Sequence, residues 1–148
     1  MTTADDFAVL WPSPSPKAYL SRRYHLSASH RLHCDTFTAD QNRDAYGKCN
    51  NPHGHGHNYI IEVTFGGRVD SATGMICDLA ELDAFAQTNL LDRFDTMNLN
   101  TLDVFLHQVS TTENLTIEVY RIFQRFSAAK LTKVRVEETT NNSFEYSA

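Results

Sequence analysis

Apolar and polar residues alternate from Tyr19 to Leu32, and the alternation returns at about residues 57–68. In the first segment Tyr24, Leu26, Ala28, His30 and Leu32 share one face, and Arg23, His25, Ser27, Ser29 and Arg31 the other. In the second, His57, Tyr59, Ile61, Val63 and Phe65 face one way and Asn58, Glu62 and Thr64 the other; Gly66 and Gly67 close it. A period of two is that of a strand with one face buried. Such a face needs a cover, and the middle of the chain supplies helices. Asp78 is a good N-cap with Glu81 three residues on, the spacing of a capping box, followed by the stripe Leu79, Leu82, Phe85, Ala86 and Leu90. A second helix is expected to open at Ser110, with Glu113 at its third position and Leu115, Val119, Ile122, Phe123 and Phe126 on its apolar face. Closing strands follow at about 132–139 and 143–147, split by Asn141 and Asn142. The order predicts an α+β domain with helices on one side of an antiparallel sheet.

Pro12, Pro14 and Pro16 alternate with serines, so residues 1–18 read as a flexible N-terminal arm and 19–148 as a single domain. Residues 33–56 are polar and rich in Asn and Gly towards the end. They read as a long loop with a short helix near 39–46, and loops of that length are usually functional. The net charge of -5 and pI near 5.7 argue against a nucleic-acid partner, while leaving room for a local basic pocket that takes an anionic metabolite. No apolar run approaches the ~20 residues that span a bilayer, so no membrane partner is expected. Cys34, Cys49 and Cys77 are odd in number and far apart, which fits a reduced compartment, and the expected location is the cytoplasm.

The sharpest chemical signal is His55-Gly56-His57. Residues two apart on a strand project to one side roughly 6.5–7 Å apart, so two imidazoles can converge on one ion. Glycines at 54 and 56 remove bulk beside them. His30 is in phase with the apolar face of the first strand and His57 with that of the second. If those strands pair, three imidazoles meet on a buried face. Three histidines with an open fourth position describe a catalytic zinc, Zn2+. The plain alternatives stay open: a packed, hydrogen-bonded His30, a closed site using Cys34 and Cys49 with the pair, or His53 competing for the ion. His25, His33 and His107 read as surface or loop residues. Cys49 is either a thiol activated by a nearby cation or an inert buried one. Glu138 follows Val134 and Val136 on the inward face; a carboxylate there needs a partner such as two adjacent N–H donors, unless the strand end frays. Glu113 is already explained as a helix cap.

The segments Ser27–Leu32 (SASHRL), Gly47–Tyr59 (GKCNNPHGHGHNY), Val109–Asn114 (VSTTEN) and Val136–Asn142 (VEETTNN) resemble the 6-pyruvoyltetrahydropterin synthase family, over about residues 22–146. The resemblance implies a tunnelling fold (T-fold): a four-stranded antiparallel sheet with two helices between strands two and three, joined across subunits into the barrel of a homo-hexamer, a dimer of trimers. It implies a zinc-dependent lyase that converts 7,8-dihydroneopterin triphosphate to 6-pyruvoyltetrahydropterin with loss of triphosphate. It implies His30, His55 and His57 as zinc ligands, Cys49, Asp95 and Glu138 as catalytic residues, with Cys49 the proton acceptor and Asp95 the Asp of the family's Asp-His pair, and Glu138 as the pterin anchor with Thr112 and Glu113 as further substrate-binding residues. Lys48 and Arg31 are the basic residues suggested for the triphosphate. One departure matters: the family's Asp is usually followed by a proton-relaying His, and here Thr96 follows Asp95. A hydroxyl is no base near neutral pH. Two alternatives follow, a 6-carboxytetrahydropterin synthase of queuosine biosynthesis and a catalytically impaired pterin-binding homologue. The five residues between Cys49 and His55 resemble the pyruvoyl-forming branch.

Overall fold

The computed structural model describes residues 13–148. Strand β1 (Lys17–His30) pairs antiparallel with β2 (His55–Arg68), which pairs with β4 (Lys130–Thr139), which pairs with β5 (Asn142–Tyr146). A two-residue strand β3 (Met97–Asn98) lies parallel to β1, giving the sheet order β3-β1-β2-β4-β5. The expected four antiparallel strands are therefore present, and a fifth, very short one is added at the edge. Helix α1 (Ala39–Tyr46) sits in the loop between β1 and β2. Helix α2 (Leu79–Ala86) continues through a π-helical segment, Gln87–Leu91, and a last turn, Asp92–Phe94. Helix α3 (Thr112–Phe123) precedes β4.

One face of the sheet is covered. Tyr24, Leu26 and Ala28 of β1, Tyr59, Ile61, Val63 and Phe65 of β2, and Val134 and Val136 of β4 are buried. Leu82, Leu90, Leu115, Val119 and Phe123 of the helices close over them. Each fully buried side chain of this size contributes roughly 1.5–3 kcal/mol. Leu131 also faces inward, out of phase with Val134, because the β2–β4 register slips between Thr64 and Phe65. An extra residue in one strand restores the burial that simple alternation would lose.

Several boundaries differ from the sequence expectation. The arm's first twelve residues lie outside the described residues, and Lys17 and Ala18 already belong to β1. β1 stops at His30 rather than Leu32 because other partners take the next backbone groups. Asn100 accepts from Arg31 N and donates to Arg31 O, while Leu32 N donates to the Cys49 carbonyl and Asn50 donates to Leu32 O. β2 begins at His55, two residues early. Asp78 caps α2 through Ala80 N, but the reciprocal Glu81 half of a capping box does not form among the described residues. The N-cap of α3 is Thr111, not Ser110, and Glu113 falls at the second helical position. Its capping role is thereby lost.

Candidate active site

His30 and His55 stand directly opposite each other across β1 and β2, and His57 lies two residues on, opposite Ala28. One ring nitrogen of each lies within 4.8 Å of the others. His30 Nε2 and His55 Nε2 are 3.1 Å apart. Nitrogens about 2.0–2.1 Å from a tetrahedral ion are themselves separated by roughly 3.3 Å, so the spacing suits a metal. The proton inventory agrees. His30 Nδ1 lies 2.7 Å from the Ser110 carbonyl, which can only accept, so Nδ1 carries the proton and Nε2 presents a lone pair. His57 Nε2 is buried with no hydrogen-bond partner among the described residues. An orphaned buried nitrogen costs stability, and a metal ion would satisfy it. Burial pushes the His30 and His57 imidazoles below the ordinary histidine value and keeps them in the neutral, metal-binding form.

Glu138 points at this cluster. Its Oε1 is 3.6 Å from His57 Nε2 and 3.9 Å from His30 Nε2. It is the extra residue where the β4–β5 register slips between Glu137 and Thr139, one step past the last β2–β4 pair, Ile60 and Glu137. Such a bulge re-aims a side chain. Thr112, in the first turn of α3, donates to Oε1 at 2.6 Å, and Asn142 donates to Oε2 at 2.8 Å. Burial acts to raise the Glu138 carboxyl, but the bonds from Thr112 and Asn142 and the nearby His57 and His30 outweigh it and hold the group below the usual carboxylate range. The carboxylate is thus ionised, oriented and half-buried, able to receive a pair of N–H donors.

Tyr59 was not singled out in the sequence, because an aromatic in phase with a buried face reads as core. It is fully buried, yet its hydroxyl has no hydrogen-bond partner among the described residues. Burial, with the charges of Glu138 and Cys49 adding, pushes its phenol well above the ordinary value against the influence of Thr112. Its ring lies 5.4 Å from that of His57 and 6.3 Å from that of His30, centroid to centroid, which puts Tyr59 among the site residues. Cys49 itself lies half-buried in a 3-10 turn, Gly47–Asn50, fastened to the end of β1 through its carbonyl.

The remaining expected residues stand apart from this group. Asp95 accepts from Ser27 N at 2.8 Å, and Thr96 N donates to Ser27 O at 2.6 Å, so the pair grips the edge of β1. Thr96 lines a cavity of about 320 Å³ with Gly56, His57 and Met97. Glu113 is exposed. His53 and Cys34 fall outside the histidine cluster, which removes the two rival ligand sets. His33 and His107 line a larger cavity, of about 640 Å³, that reaches His30. Of the two glycines, only Gly54 is required sterically. It has φ +69, and a Cβ there would stand 2.9 Å from the His30 carbonyl; at Gly56 the nearest atom is an ordinary 3.5 Å away.

Fold and site together define a small α+β enzyme module with a cluster of three histidines that could hold a metal ion and an inward carboxylate at its rim. A family model described as 6-pyruvoyl tetrahydropterin synthase matches residues 19–148, and the chain belongs to that family and is a lyase. It is 42% identical to the 6-pyruvoyl tetrahydrobiopterin synthase of Homo sapiens over 133 residues, 88% of this chain and 91% of that protein. With the Drosophila melanogaster enzyme of the same name it shares 39% over 137 residues, 90% of this chain and 82% of the other. The structure of Caenorhabditis elegans 6-pyruvoyl tetrahydropterin synthase superposes with a TM-score of 0.86 at 37% identity, covering 90% of this chain and 97% of that one.

Proposed function

We propose that the chain is a zinc-dependent lyase that converts 7,8-dihydroneopterin triphosphate to 6-pyruvoyltetrahydropterin with loss of triphosphate. The observation that carries this reading is the convergence of three imidazole nitrogens beside an ionised, inward carboxylate. Relatives named 6-pyruvoyl tetrahydrobiopterin synthase at about 40% identity support it over the 6-carboxy branch. His30, His55 and His57 hold the zinc. When bound, it supplies Lewis acidity that lowers the pKa of a substrate hydroxyl and stabilises developing negative charge on oxygen. Glu138, held by Thr112 and Asn142, accepts two N–H donors of the pterin edge and fixes the ring. Cys49 accepts a proton from carbon and returns it, since the reaction is an elimination with internal proton shifts that needs no external redox cofactor. Asp95 holds the strand edge beside Thr96, and Glu113 lies towards the pterin. The protein works in the cytoplasm as a homo-hexamer; among the described residues no helix is long and apolar enough to cross a membrane.

The test is incubation of the purified, metal-analysed protein with 7,8-dihydroneopterin triphosphate, following triphosphate release and product mass. Release with a pyruvoyl product is the expected result. A carboxy product would assign the chain to 6-carboxytetrahydropterin synthase. Tight pterin binding without release would favour the impaired homologue, for which Thr96 is the specific observation.

A further inference from the structure

Tyr24, Tyr59 and Tyr120 are the buried tyrosines among the described residues. Tyr24 donates its hydroxyl to Asp83 at 3.0 Å, and Tyr120 donates to the Ala148 carbonyl at 3.4 Å. Tyr59 is the most deeply buried of them, and its hydroxyl alone has no such partner among the described residues. It stands on the covered face of β2, between His57 and the apolar Ile61, Val63 and Phe65. A phenylalanine would fill that position without taking an O–H out of water, which costs stability when the hydroxyl stays unpaired.

The sheet register shows where a partner lies. Ile60 of β2 stands opposite Glu137 of β4, so in an antiparallel pair Tyr59 comes next to Glu138, one step further on. Both turn to the side of the histidine cluster, Tyr59 with its ring against His57 and Glu138 with Oε1 3.6 Å from His57 Nε2. The third member is Thr112, itself buried, which donates to Glu138 Oε1 at 2.6 Å. A hydroxyl has one proton and two lone pairs. The Thr112 proton is spent on Glu138, so its oxygen is left to accept. Tyr59 is thus a buried donor without an acceptor, beside a buried acceptor without a donor. Hydrogen bonding by Thr112 and the charge of Glu138 both act on the Tyr59 phenol, in keeping with one polar group of three.

We infer that Tyr59 is a positioning residue for Glu138: its O–H donates to Thr112 Oγ1, which passes its own proton's bond to the carboxylate, and the chain of three fixes the direction in which Glu138 meets its ligand. The free energy of an unmade buried hydrogen bond draws the phenol and the threonine together, and bonds linked in series strengthen one another. The inference deepens the proposed function and rests on it for the ligand, a pterin.

The experiment is a double-mutant cycle of Tyr59→Phe and Thr112→Val in the intact, metal-analysed protein, read by thermal unfolding and by fluorescence titration with neopterin, a pterin without phosphate. Tyr59→Phe removes one oxygen and keeps the ring. In the wild-type background it should lower the unfolding temperature by a few degrees, since a made bond is lost. In the Thr112→Val background it should raise that temperature, since there the hydroxyl is an orphan. Neopterin affinity should fall on the order of tenfold in Tyr59→Phe and no further when that change is added to Thr112→Val. With 7,8-dihydroneopterin triphosphate, KM should rise more than kcat falls, a split that lost packing would not produce. Equal shifts in unfolding temperature in the two backgrounds would overturn the inference, and so would wild-type neopterin affinity in Tyr59→Phe. Opposite shifts in a protein that binds no neopterin would uphold the chain onto Glu138 and reject the pterin reading.

Discussion

Thr96 has φ +60, the left-handed region that β-branched residues avoid. Its N–H and the Asp95 side chain fix that geometry against Ser27, so the backbone there is set by the grip on β1 rather than by the threonine. Asn and His tolerate the conformation better. Thr96→Asn should therefore raise the unfolding temperature, by up to about 1 kcal/mol of stability. Thr96→His should do the same and add a titratable ring beside His57, increasing turnover if a base is missing there. Unchanged stability in both would mean that the strain is relieved elsewhere. Gly54 and Gly56 make a second contrast. Gly54→Ala meets both a positive φ and the His30 carbonyl, and should cost roughly 1–2 kcal/mol with loss of bound metal, whereas Gly56→Ala should be tolerated. Thermal unfolding and metal analysis of the two variants decide it. The histidine cluster is legible in the sequence because strand phase alone places His30 and His57 inward. Tyr59 is not, since only the surroundings of its hydroxyl distinguish it from a core aromatic.

Helix α3 shows why element boundaries are harder to read than residue phase. Ser110, Thr111 and Thr112 are all capable N-caps, and sequence offers no choice between them. The sheet chooses. Ser110 is buried with its carbonyl on His30 Nδ1, so Thr111 takes the cap, accepting from Asn114 N, and Thr112 turns towards Glu138. The cap thus sets the orientation of two site residues at once. Thr111→Ala should cost about 1 kcal/mol of stability and weaken pterin binding, and Thr111→Ser should retain both. Equal pterin affinity in the alanine variant would separate the cap from the site. Helix α2 is fastened differently. Arg22 of β1 makes two bonds to Asp83, at 3.0 and 2.6 Å, and Tyr24 donates a third at 3.0 Å. The Arg22 bond, joined by that from Tyr24, holds the Asp83 carboxyl below its ordinary value. A depressed carboxylate pKa contributes stability above the unfolded value that is lost as pH falls towards the folded one. Asp83→Asn should lower the unfolding temperature at pH 7 by a few degrees and flatten its fall below about pH 4, measured by thermal melts across pH.

For the whole molecule, the sheet's edges carry the argument. β3 covers β1 only at Ala28 and Ser29, while Asp95 and Thr96 take the backbone groups of Ser27. The rest of that edge, towards Lys17, has no neighbour among the described residues, and neither has the outer edge of β5. Tyr19, 63% exposed, lies on the open stretch of β1. Long unpaired edges invite further strands, and a protein that remains soluble with two of them must pair or protect them. Alternation in the sequence could give the strands and the covered face, but it carries no count of subunits, because a strand reads alike whether its neighbour belongs to the same chain or another. Closure of the sheet on copies of itself would use both edges. Light scattering after size exclusion should then give about 101 kDa, six times the chain's 16.8 kDa. Stability should also rise with protein concentration, since association removes folded chains from the unfolding equilibrium. A mass of one chain at assay concentration, with a melting temperature independent of dilution, would show that the edges are protected locally and that the site is complete within a single chain.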